Sequence, residues 1–392
     1  MIFSGISNLR RVTVKKQLSA SLNKIIIIVC FLIVAAMGLL QKYHSAEIYF
    51  NLPFNYVIYA NLFTICLAAT LTGIVAGALI YFLLGKKIKL LSVILYAAAA
   101  ALIIATFFIN ISNVSLGSDA TGATRWLKIG DIAIDSAAFL PFVILFAVFI
   151  VTEKGKNKLF LSFLAAIVPA VLVIFSPNLT PAALVLFTLL VLLIKMNADK
   201  YLNIKYILII IVSLIALGVL VLIILNSDYF MSHLALINGR KGTNILSRYT
   251  YPELTVKEYR PFGMCLFEVP NINAGDPTNE LIWHRRLELV TLFYSNGYGH
   301  FIIYMTAMIC MLVFMFILCG KTDKPFEKYS AFGICIYFTV RFTYALLSQF
   351  VLTVALASPP FIGGETSIIT DIILLAIMLA LTGKKDNGKQ TF

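Results

Sequence analysis

Between Gly117 and Gly130 the chain carries a polar turn that runs into Thr124, Arg125, Trp126, Leu127 and Lys128. A guanidinium presents a planar fork of N–H donors to phosphate oxygens, and a nearby ammonium adds a point charge. Arg125 and Lys128 would therefore suit the pyrophosphate of a lipid-linked substrate. The plainer reading makes Trp126, one of two tryptophans, an aromatic anchor at a membrane interface beside a snorkelling arginine. Arg341 is a second candidate. It lies within Phe338–Tyr344, well inside an apolar run, where a charge is costly unless it is paired or faces water. Glu365, Asp371, Glu288 or a substrate phosphate could pair with it. The four histidines are scattered along the chain and form no metal-ligand pattern, and His300 reads as a hydrogen-bonded packing residue. Of six cysteines, Cys30, Cys66, Cys310, Cys319 and Cys335 fall in apolar segments, where a thiol acts as a small hydrophobe, and Cys265 stands in a polar loop.

The elements that must hold these residues are membrane spans. Of 392 residues, 60% are hydrophobic and only 12% charged, so lipid is the main solvent. About 20 apolar residues are needed to cross a hydrocarbon core as a helix, and uninterrupted apolar runs of that order cannot be barrel strands, which alternate. An all-α integral membrane fold follows. Runs near 25–41, 56–84, 90–110, 136–152, 159–175, 179–194, 206–225, 295–319, 329–354 and 366–382 predict ten spans. The basic residues before the first run imitate a signal peptide, but no small-residue cleavage site clearly follows, so it reads as an uncleaved span.

The net charge of +13 does not point to nucleic acid, because the charges sit mostly in short connections. Lys86, Lys87 and Lys89 follow span two, Lys154, Lys156 and Lys158 span four, Lys195, Lys200 and Lys205 span six, and Lys321, Lys324 and Lys328 span eight. With a basic N-terminus over 1–24 and Lys384, Lys385 and Lys389 in the tail 383–392, every even-numbered connection is basic and therefore cytoplasmic. Both termini then face the cytoplasm. The odd loops face outward and carry little charge apart from Lys42, Arg125 and Lys128, until the long connection over about 226–288. That loop exceeds a mere connector and predicts short helices lying on the outer face. No internal repeat is visible, which speaks against an inverted-repeat transporter.

Several stretches resemble SEDS proteins, the FtsW/RodA group. Thr124-Arg125-Trp126 with Gly130 and the span Phe139–Phe146 resemble that family's second outer loop and fourth helix. Ser176–Ala182 resembles its Pro-Asp-Leu-Gly-Thr-Ala turn, and Ser358–Ser367 its Pro-Phe-Ile-Ser-Tyr-Gly-Gly-Ser-Ser turn with a short deletion. The resemblance covers most of the chain from about residue 110 onward and implies a ten-helix bundle with a large outer loop between helices seven and eight. It also implies a bacterial cytoplasmic membrane and the activity of that family, polymerisation of lipid II into glycan strands. The family's catalytic carboxylate stands eleven residues before a glycine; counting back from Gly299 reaches Glu288. A partly desolvated carboxylate there could act as general base on an acceptor hydroxyl. The plainer alternative is a helical ion pair with Arg285 or a contact with His284. The chain departs from the family pattern at Ser136, Ala137, Ala138 and Pro141 on span four, at Asn178, and at Asn296 and Gly297.

By resemblance, then, Glu288 is the catalytic candidate and Arg125, Lys128, Trp126, Arg341 and Arg285 are the substrate-binding candidates. Lipid II or a related undecaprenyl-linked glycan is the expected substrate. A class B penicillin-binding transpeptidase is the expected partner, together with membrane lipids. A divalent cation such as magnesium could bridge phosphate and carboxylate, although no dedicated ligands are visible. The competing readings are a non-catalytic scaffold for wall synthases, a lipid-linked precursor flippase or transporter, and another polymerase of lipid-linked glycans.

Overall fold

The structure, a computed structural model, describes residues 20–43, 56–84, 87–112, 126–129, 132–155, 158–175, 179–203, 255–258, 266–268, 288–352 and 357–382. Helix α1 is Ala20–Tyr43. It is followed by α2 (Tyr56–Leu79, continuing through a wide π turn over Ile80–Leu84), α3 (Ile88–Ser112), α4 (Phe142–Glu153), α5 (Leu159–Phe175) and α6 (Leu179–Ala198). The C-terminal half holds α7 (Glu288–Asn296), α8 (Tyr298–Cys319), α9 (Pro325–Leu347, ending in a π turn over Ser348–Leu352) and α10 (Glu365–Leu381). Seven helices among the described residues are long and apolar enough to cross a membrane; α5 is shorter and α10 has 17 residues. Nine of the ten predicted spans coincide with these helices, and the seventh, over 206–225, lies outside the described residues. The chain is an all-α multi-pass membrane protein.

Two short antiparallel pairs interrupt the helices. Strands β1 (Trp126–Ile129) and β2 (Ile132–Asp135) form a hairpin that leads into a 3₁₀ turn before α4. Strands β3 (Thr255–Glu258) and β4 (Leu266–Glu268) pair within the large loop, where the sequence predicts short helices. Thr255 and Val256 are β-branched and Leu266 and Phe267 suit a pleated strand, and the pairing satisfies backbone groups of both segments.

Glycines set the closest approach of helices. A Cβ on Gly73 would stand 2.8 Å from the Ile372 side chain, and one on Gly77 3.1 Å from Ala376. Small residues four apart let the α2 backbone lie directly on α10, the packing that serves where lipid offers no hydrophobic driving force. At one end of the bundle ion pairs join element termini. Lys89 meets Glu153 at 2.8 Å, and Asp199 accepts from Lys195 at 2.6 Å and from Lys328 at 2.7 Å. There too Lys24 donates to the Leu379 carbonyl at 2.7 Å. The starts of α1, α3 and α9 thus lie beside the ends of α4, α6 and α10, as an alternating bundle requires.

Candidate functional site

The opposite end of the bundle gathers every fully buried charge among the described residues: Lys42, Glu288, Arg341 and Asp371. Arg341 sits on α9, and its Nη1 donates to the Asp371 Oδ1 of α10 at 2.6 Å and to the Tyr337 hydroxyl at 3.4 Å. Its Nε donates to the Ser358 carbonyl at 2.8 Å, and its Nη2 to the Pro359 carbonyl at 3.3 Å and the Ser367 hydroxyl at 2.7 Å. All five guanidinium donors are therefore committed inside the chain. Of the candidate acids, Asp371 is the one in contact.

Arg341 and Asp371 together fix the turn between α9 and α10. The second Asp371 oxygen accepts from the Phe361 amide at 2.9 Å. Phe361 has a φ of 69°, a left-handed conformation that a bulky residue adopts only when its surroundings hold it there. Those surroundings are the carboxylate and two rings, Phe31 at 5.4 Å and Phe338 at 5.0 Å between centroids. Gly363 stands where a Cβ would meet Ser358 at 3.0 Å and Arg341 at 3.4 Å, and a Cβ on Gly38 of α1 would overlap Ile362. The turn is clamped from three helices.

What the clamped turn presents is Ser358. Its hydroxyl donates to Glu288 Oε1 at 2.7 Å. Gln349, on the π turn that ends α9, donates to Glu288 Oε2 at 3.5 Å, accepts from the Leu289 amide at 2.9 Å and donates to the Ala357 carbonyl at 2.8 Å. Wide turns of this kind re-aim side chains, here toward the first residue of α7. Glu288 is completely buried. Burial pushes its carboxyl above the usual range, while Lys42, the Ser358 hydroxyl and Arg341 pull it back. A carboxyl whose pKa is raised above the ordinary carboxylate value moves toward the range in which a general base works.

The hairpin carrying Trp126 and Lys128 is tied to the same end. Trp126 pairs with Asp135 and Lys128 with Ala133. The Asp135 amide donates to the Thr366 hydroxyl in the first turn of α10 at 3.3 Å, and its carboxylate caps the following 3₁₀ turn through the Ala137 amide at 3.0 Å. Arg125 and Arg285 lie outside the described residues. The structure thus brings Glu288 and Arg341 together through the 358–364 turn and sets the Lys128 strand beside α10. His300 Nδ1 lies 2.6 Å from the Asn296 carbonyl, a local helical contact. No group of three potential metal-binding side chains occurs among the described residues, and there Glu288 and Asp371 already accept hydrogen bonds from Ser358 and from Arg341 and Phe361.

Three contributors are missing from the sequence reading as site residues: Ser358, Gln349 and Lys42. Gln349 follows Ser348 inside an apolar span, and a buried amide there signals a hydrogen-bonding task. Lys42 reads from sequence as an outer-loop charge, yet it is 3% exposed.

Fold and site define a polytopic helical membrane protein whose one end encloses a charge-balanced polar network beneath a loop carboxylate. The family model described as "Cell cycle protein", FTSW_RODA_SPOVE, matches residues 24–243, more than half of the chain, and the chain belongs to this SEDS family. Among solved structures it is similar to the rod shape determining protein RodA of Thermus thermophilus, at 15% identity and a TM-score of 0.57, over 90% of this chain and 94% of that one. A point mutant of the same RodA matches at 14% and 0.57, over 90% and 95% of the two chains. A structure titled for the coordination of polymerization and crosslinking by a peptidoglycan synthase complex matches at 14% and 0.55, over 90% and 96%. These likenesses speak for the fold. No curated protein matches the chain significantly.

Proposed function

We propose that the protein is a cell-wall assembly protein of the bacterial cytoplasmic membrane that polymerises lipid II on the outer face, with Glu288 as general base. The observation that carries this reading is the hold on Glu288: a buried carboxylate at the head of α7, oriented by Ser358 at 2.7 Å on a turn that Arg341 and Asp371 lock in place. In the proposed reaction Glu288 takes the proton of an acceptor sugar hydroxyl. The freed oxygen attacks the anomeric carbon of the donor, a new glycosidic bond forms, and the bond to the donor's undecaprenyl pyrophosphate breaks. Arg125, Lys128 and Arg285 would bind the phosphates of the two lipid carriers, with Trp126 at the interface. Arg341 serves through the turn. A class B penicillin-binding transpeptidase is the proposed partner, in keeping with the family and with a fold shared with a peptidoglycan synthase complex.

A second reading, a non-catalytic scaffold for wall synthases, is favoured by one observation: Glu288 has no exposed surface. One experiment separates the two. Glycan-strand formation from labelled lipid II is measured with the purified protein and its transpeptidase, comparing wild type, Glu288→Ala and Arg125→Ala. Polymer from wild type that falls at least about a hundredfold in Glu288→Ala, within the range for losing a general base, upholds the glycosyltransferase. Wild type without polymer, still bound to its partner, moves the assignment to the scaffold.

A further inference from the structure

A buried primary amide must find partners for both its oxygen and its N–H donors, and Gln349, 4% exposed, finds them in backbone groups that leave it one orientation. Its Oε1 accepts from the Leu289 amide at 2.9 Å, and its Nε2 donates to the Ala357 carbonyl at 2.8 Å. A backbone N–H only donates and a carbonyl only accepts, so the side chain cannot be turned over. These two partners are the chain neighbours of Glu288 and Ser358. One side chain on the π turn thus sets the head of α7 against the turn whose hydroxyl binds the carboxylate. Ser348, next to it, accepts from the Ala357 amide at 3.4 Å and supports the same approach.

The two oxygens of Glu288 are held differently. Oε1 accepts from the Ser358 hydroxyl at 2.7 Å, the length of a strong charge-assisted bond. Oε2 has Gln349 Nε2 at 3.5 Å, beyond the about 2.7–3.2 Å of a well-formed N–H···O bond. A hydrogen bond to a carboxylate oxygen stabilises its charge and weakens its pull on a further proton. Oε2 is therefore the more basic atom, and its long contact is the one that an approaching hydroxyl can displace. We propose that Oε2 of Glu288 is the oxygen that takes the acceptor proton, and that Gln349 is its positioning residue. The proposal rests on the reading of Glu288 as base. The proton passes from the sugar hydroxyl to Oε2, and the sugar oxygen keeps the electron pair with which it attacks. Oε1 becomes the carboxyl C=O and retains its bond from Ser358.

Polymer formation from labelled lipid II tests the positioning role in the full chain with its transpeptidase, comparing wild type with Gln349→Met, an apolar side chain of similar length. The kcat should fall about ten- to a hundredfold, the upper value being the cost of a misplacement of about 1 Å, with KM for lipid II unchanged. An unchanged kcat, or a KM that rises while kcat holds, overturns it, since the latter marks lost uniform binding. Should Gln349→Met fail to fold, Gln349→Asn, which keeps the amide but falls one methylene short of its partners, takes its place under the same outcomes. A second readout needs no activity: the infrared C=O band of protonated Glu288 in acid, assigned by its absence in Glu288→Gln. With the proton on Oε2, the C=O oxygen is the one bonded to Ser358, so Ser358→Ala moves the band to higher wavenumber. A band that stays in place puts the proton on Oε1 and overturns the proposal. In a wild type that makes no polymer this band alone decides, so a failure of the glycosyltransferase reading remains distinguishable.

Discussion

Glu288 carries opposing demands, because a base must ionise whereas burial favours the neutral acid. Its folded-state pKa lies above the ordinary value of 4.5, so the folded protein holds this proton more tightly than the unfolded chain does. Stability from such a group is fully present below pH 4.5 and is lost as pH rises through the folded-state value. Glu288→Gln copies the protonated form. It should match wild type in acid and gain on it above that pH, by about 1.4 kcal/mol for each pH unit until the folded carboxyl has titrated. Thermal unfolding over a pH series checks this, and a margin that stays constant with pH contradicts it. The position of Glu288 was legible because the family pattern fixes its distance from Gly299. Its surroundings were not, since Ser358 and Gln349 lie 70 and 61 residues away in the chain and meet it only when α7, the end of α9 and the 358–364 turn converge.

At the scale of elements, apolar length made nine of the ten predicted helices readable, because in lipid a run of that length has only one way to satisfy its backbone. The β1–β2 and β3–β4 pairs were not readable, being three or four residues each and held by partners rather than by periodicity. Helix contacts were partly encoded: Gly73 and Gly77 are four apart on α2, and the structure shows that they face Ile372 and Ala376. A side chain on Gly73 must push α10 away along the helix whose Asp371 locks the 358–364 turn. Gly73→Leu should cost about 1–3 kcal/mol, the range for overpacking a close contact. It should also weaken polymer formation, since the displaced Asp371 no longer pins the Phe361 amide. Unfolding in detergent together with the lipid II assay tests both parts, and a variant that keeps full stability shows that α2 and α10 can separate without cost.

Across the whole molecule, charge is sorted between the two ends. Lysines and their partners Glu153 and Asp199 gather at one end, while the buried network under α7 occupies the other. Asp199 shows that the first end is a built surface. Its hydrogen bonds to Lys195 and then Lys328 hold its carboxyl below the usual range, and so tie α6 to the start of α9. Positive residues of short connections stay in the cytoplasm, so the lysine end should be cytoplasmic and the Glu288 end outside, where a lipid-linked glycan would be polymerised. Lys154, Lys321 and Gly364 are exposed at the two ends and can report on this. In a Cys265→Ser background, a membrane-impermeant thiol reagent applied to intact cells stripped of outer layers should label Gly364→Cys. Lys154→Cys and Lys321→Cys should react only after the membrane is opened. Labelling of Lys154→Cys from outside would invert the bundle. Glu288 would then face the cytoplasm, away from the transpeptidase domain, and the extracytoplasmic polymerase reading would fall with the topology, whatever its buried carboxylate can do.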